Sequence, residues 1–112
     1  EFLHVDDLGE AVVFVLEKWY PNSTDAPLDN FGTPLTYLNV GTGLDISIKK
    51  LAERIANHAH FTGEIKWDLN KPDGTPKKQL DISRILNLGW RPTIDLDRGI
   101  TETINSYKDL NL

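Results

Sequence analysis

The stretch TYLNVGTGLDISIKKLAERIA, residues 36–56, changes its hydrophobic period from two to about 3.6 around a pair of glycines. Residues 36–40 read as a strand and Gly41-Thr42-Gly43 as a tight turn. Ser47 reads as the cap of a helix near 48–59, whose Ile48, Leu51, Ala52, Ile55 and Ala56 fall on one stripe. Ile46 and Leu51 are placed for a hydrophobic staple across that cap. Strand, turn and helix in this order make α/β the expected class. They also invite a dinucleotide-binding reading, which fails on count, because the third glycine of the fingerprint would stand where Ile46 does. The glycines are therefore expected to serve a strand-to-helix turn.

Outward from this unit the same alternation continues. Residues 2–5 read as a short strand, and Asp6 or Asp7 as the cap of a helix near 7–19, with Glu10 completing a capping box. Leu8, Ala11, Val12, Val15, Leu16 and Trp19 make one helical face. Val13 and Phe14 add apolar surface on another side, so this helix is expected to need cover from beyond the chain. Residues 21–34 hold three prolines and read as a loop without an assigned role. Ile65 and Trp67 alternate with charge across 64–68, as in a half-buried strand. Asp81 is placed to cap a short helix at 82–88 closed by Gly89, and Leu96, Ile100, Ile104 and Tyr107 mark a last helix at 96–108.

Composition narrows the function classes. A chain of 112 residues suits one domain, and a net charge of −5 repels phosphate backbones, so nucleic acid is not the expected partner. No apolar run approaches the roughly 20 residues of a membrane helix. With no cysteine there is no disulfide, thiolate metal site or thiol nucleophile, a composition compatible with a reducing cytoplasm. His58 and His60 are two residues apart and point to different sides of a helix, and His4 stands alone, so no metal site is expected. The chain holds no methionine and starts inside the apolar run EFLHV, so it is expected to be a piece of a longer protein.

Residues 70–81, NKPDGTPKKQLD, have no period of their own. Pro72-Asp73-Gly74 is a tight-turn signal, and the plain reading is a turn with a solvated lysine pair. A second reading starts from chemistry. A carboxylate such as Asp73 accepts two hydroxyl hydrogen bonds, as a ribose diol offers, and an ammonium such as Lys78 is a point charge suited to a diphosphate. Thr75 adds a hydroxyl donor, and Pro72 and Pro76 reduce the entropy lost when the loop is fixed on a ligand. The residues alone leave both readings open.

The order EFLHVDDL, NVGTG and KPDGTPKKQLDISRI, then LGW and a final helix, resembles the C-terminal part of GDP-L-fucose synthases, a family of the extended short-chain dehydrogenase/reductase group. The resemblance covers nearly the whole chain. KPDGTP followed by two basic residues is its most specific part, whereas EFLHVDDL and NVGTG are similar in many nucleotide-sugar epimerases and dehydratases. It implies a C-terminal substrate-binding domain over residues 1–112, with the Rossmann domain and its NADP site N-terminal to it and absent here. It implies a GDP-sugar substrate, with Asp73 on the nucleoside ribose and Lys78 by the diphosphate, and is compatible with a homodimer. The family's catalytic residues and a substrate-contacting arginine, which would precede Glu1, are not in this chain, which is therefore expected to be inactive alone. Lys77 stands where relatives often have arginine, so no bidentate contact is carried over to it. A related nucleotide-sugar enzyme and a free-standing interaction domain are the alternatives.

Overall fold

The computed structural model describes residues 1–110 and contains four helices: α1 (Val5–Lys18), α2 (Ile48–His58), α3 (Ser83–Leu88) and α4 (Leu96–Asp109). All four lie where the apolar period places them, to within two residues at each end. Ser47 caps α2, its side chain accepting the Lys50 N–H at 3.2 Å. Asp95 does the same for α4 with the Arg98 N–H at 2.9 Å. Asp81 accepts the Ser83 N–H at 2.9 Å, although the cap position of α3 itself is Ile82. Ser47→Ala should destabilise the protein by about 1 kcal/mol, the usual cost of a lost cap, read as a lower urea midpoint with unchanged slope.

The expected strands at 2–5, 36–40 and 64–68 are not formed. Among the described residues the only β-pairing is one antiparallel bridge between Leu28 and Pro34, inside the 21–34 loop. The reason is physical: a helix closes its hydrogen bonds within itself, whereas a strand exists only where another strand meets its N–H and C=O groups. The α/β pattern is thus realised here as helices joined by segments without a sheet. Residues 61–80 are exposed throughout, including Ile65 and Trp67, which were expected to share a buried face.

The start of the chain also differs from expectation. His4, not an aspartate, caps α1, its Nδ1 accepting the Asp6 N–H at 3.3 Å, and helix begins at Val5. Asp7, in the first turn of α1, is fully buried. Its Oδ1 accepts the Thr93 N–H and hydroxyl, each at 3.0 Å, and its Oδ2 the Ile94 N–H at 2.9 Å. This carboxylate ties α1 to the segment leading into α4.

The core is small. Ala11 of α1, Ile82, Ile85 of α3 and Trp90 form it, with Leu3, Phe14, Val15, Val40 and Leu86 packed around. Gly89 makes it possible to bring Trp90 back onto α3. At φ 110° it ends the helix in a Schellman arrangement, the Gly89 N–H bonding to the Leu86 carbonyl and the Trp90 N–H to the Ile85 carbonyl. The second packing unit is α2 against α4, with Asp97 facing Arg54 at 3.4 Å and His58 at 3.2 Å.

The face of α1 assigned to burial is only half used. Ala11 and Val15 turn inward, but Val12 and Leu16 are exposed, Leu16 by 75%. Phe14 packs partly on the core cluster, while Val13 remains 54% exposed, so the expected open apolar surface is present mainly at Val13, with Phe14 half-buried beside it. The radius of gyration is 17.9 Å, against about 13 Å for a compact domain of this length. An extent of 55 × 35 × 19 Å describes a flat, open body with large apolar side chains at its surface.

Candidate functional site

The beginning of the chain, the 41–43 turn and residues 77–80 converge on one carboxylate. Glu1 Oε1 accepts the N–H groups of Thr42 at 2.7 Å and Gly43 at 3.2 Å, and Oε2 accepts the Leu80 N–H at 2.7 Å. Successive backbone N–H groups aimed at one anion form a nest, and Gly43 at φ 71° supplies its left-handed residue. Gly41 is needed for close approach, since a Cβ there would fall on the Glu1 carboxylate. Burial alone would raise the Glu1 carboxyl, but the N–H groups of Leu80, Gly43 and Thr42 outweigh it and hold the group below the usual carboxylate range. Two further tethers join the same segments: the Gln79 amide donates to the Gly43 carbonyl, and Asn39 Nδ2 donates to the Asp81 carbonyl at 3.1 Å.

This junction floors two open grooves. One, of about 750 Å³, includes Gly41, Asp45, Ser47, Thr75, Lys77 and Lys78 in its lining. The other, of about 790 Å³, lies along Thr42, Gly43, Gln79, Asp81 and Ser83. Lys78 and Thr75 thus reach a common groove, with Lys77 on both. Asp73 lines neither and stands on the exposed 61–80 segment. Among the described residues, no ion pair engages Asp73, Lys77 or Lys78. Two uncommitted ammonium groups beside a hydroxyl suit an anionic ligand such as a diphosphate.

The 41–43 turn does not fit NADP. The Thr42 and Gly43 N–H groups, which a dinucleotide phosphate would require, already hold the Glu1 carboxylate, and Ile46 fills the place of the third glycine. Sequence reading missed both Glu1 and Asp7 as organising residues. Their partners lie 41 to 87 residues away, and no local pattern announces them.

The fold recurs within a nucleotide-sugar enzyme. A solved GDP-6-OMe-4-keto-L-xylo-heptose reductase from C. jejuni matches 99% of this chain with a TM-score of 0.84 and 34% identity, the match covering 31% of that chain. In sequence the chain is a relative of the GDP-L-fucose synthases. It is 42% identical over 103 residues to the GDP-L-fucose synthase of Escherichia coli K12 and 40% identical over 107 residues to the probable GDP-L-fucose synthase 1 of Oryza sativa. These matches cover 92% and 96% of this chain, and the chain spans only about 30% of the length of these relatives. No protein-family model matches it.

Proposed function

We propose that the chain is the GDP-sugar-binding portion of a GDP-L-fucose synthase, in which a longer protein converts GDP-4-keto-6-deoxy-D-mannose to GDP-L-fucose by 3,5-epimerisation and NADPH-dependent 4-reduction. The observation that carries this reading is 40–42% identity to such synthases over nearly the whole chain. Asp73 takes the ribose hydroxyls and Lys78 the diphosphate. Exposure of the 61–80 segment and the two unpaired lysines on one groove support these roles. The NADP site belongs to an N-terminal Rossmann domain of the longer protein, in keeping with a 41–43 turn already filled by Glu1. That domain also covers the open apolar face of α1, where Val5 is 71% exposed, and its sheet receives the unpaired 36–40 segment. A homodimer is compatible with this reading, and the lack of cysteine suits the cytoplasm.

The test is turnover. The full-length protein, given the keto sugar nucleotide and NADPH, is expected to form GDP-L-fucose with loss of NADPH absorbance, and the 112-residue chain alone to form none. Turnover of a different nucleotide sugar would assign it to another epimerase or dehydratase. Absence of any turnover by the long protein would favour a free-standing interaction domain.

A further inference from the structure

We propose that Glu1 is a positioning residue for nucleotide binding, an internal anion that holds residues 77–80 against the 41–43 turn and so presents Lys77 and Lys78 to the groove. The inference rests on the GDP-sugar reading above and extends it to a residue that touches no ligand. Its basis is the geometry of one carboxylate satisfying three backbone donors from two remote segments, at 2.7, 3.2 and 2.7 Å. The core cluster of Ala11, Ile82, Ile85 and Trp90 does not include Glu1. What Glu1 holds is an otherwise exposed segment, so losing its carboxylate loosens the lysine-bearing strip more than the fold. Opposing it is the entropy of a stretch that has few other restraints on this side: the Gln79 amide on the Gly43 carbonyl and Asn39 Nδ2 on the Asp81 carbonyl at 3.1 Å.

Glutamine cannot replace the carboxylate. It offers one acceptor oxygen, so either the nest or the Leu80 N–H would face an NH₂ group, donor against donor. Two lysines act together on a diphosphate only when they converge, and a strip not already held in that arrangement has to be ordered at the expense of binding.

The test uses the full-length protein carrying this chain. Glu1→Gln is expected to weaken GDP binding by about tenfold and to raise KM by the same factor, with kcat within about twofold and the melting temperature within a few degrees. Asp7→Asn, remote from the groove, is expected to lower the melting temperature and leave GDP affinity unchanged, which separates positioning from general loosening. If Glu1→Gln binds GDP as the parent does while Asp73→Ala and Lys78→Ala bind it more weakly, the Glu1 proposal alone is overturned. If all three bind GDP unchanged, the nucleotide reading falls and Glu1 with it. Should Glu1→Gln fail to fold, Glu1→Asp carries the test, because it keeps the charge but draws the carboxylate one methylene back from the N–H groups of Thr42, Gly43 and Leu80. An affinity loss of about threefold at constant melting temperature supports the proposal, and unchanged affinity overturns it.

Discussion

Asp7→Ala is expected to cost about 3 kcal/mol of folding stability, the largest loss of any single side chain in this structure outside the apolar core. The carboxylate is fully buried and accepts three hydrogen bonds, each to a charged acceptor and each worth about 1.5–3 kcal/mol when broken singly. Water entering the vacated space recovers part of that, so the sum is not the expectation. At roughly 4 °C per kcal/mol for a domain of this size, the melting temperature should fall by about 12 °C. Asp7→Asn keeps one acceptor oxygen but turns its NH₂ group on a buried N–H, donor against donor, and should lose a similar amount.

The pH dependence has a definite sign. Burial would raise the Asp7 carboxyl, but the Thr93 and Ile94 N–H groups, the Thr93 hydroxyl and nearby His4 outweigh it and leave the group below its ordinary value. A depressed folded-state value means that the stabilisation is complete above the unfolded value, about pH 4, and disappears as pH falls through the lower folded one. Urea midpoints of parent and Asp7→Ala should therefore be far apart at pH 7 and approach each other below about pH 4. Equal midpoints at pH 7 would mean that the segment before α4 is held by something other than this carboxylate.

What the sequence shows and hides follows from the range of the interactions. The four helices are legible because their hydrogen bonds, apolar stripes and caps at Ser47 and Asp95 are local, within four residues of each other. Alternation at 64–68 is equally local, but it specifies only which side chains share a face. Whether a ladder forms depends on a second strand, which the described residues do not provide. Glu1 and Asp7 are the sharpest misses. An acidic residue at the start of EFLHVDDL looks like a cap or a solvated charge, and only folding shows that one fills a backbone nest and the other ties α1 to the segment before α4. Lys78 is an intermediate case. Its charge and its place after a proline turn were readable, but that it shares a groove with Thr75 and not with Asp73 is a property of the fold.

Asp73→Ala in the full-length protein is expected to weaken GDP binding by about 1–3 kcal/mol, the scale of hydrogen bonds to a charged group, and Lys78→Ala by a similar amount. The two losses should differ in character. A ribose diol held by a carboxylate is a short-range contact, nearly indifferent to salt, whereas an exposed ammonium facing a diphosphate is screened over about 10 Å at 0.1 M ionic strength. Lys78→Ala should therefore flatten the salt dependence of GDP affinity, and Asp73→Ala should leave its slope intact. Both losses should be as large for GDP as for the sugar nucleotide, since neither residue is assigned to the sugar ring. The structure makes Asp73 the more demanding test, because it stands outside the lining of the groove that Lys78 shares, next to Gly74 and Thr75, which belong to it. The isolated 112-residue chain, without the arginine and the facing domain proposed for the longer protein, should bind GDP weakly or not at all. Calorimetry on parent and variants at two salt concentrations decides the matter: unchanged affinity in both variants would reduce residues 70–81 to a turn with a solvated lysine pair.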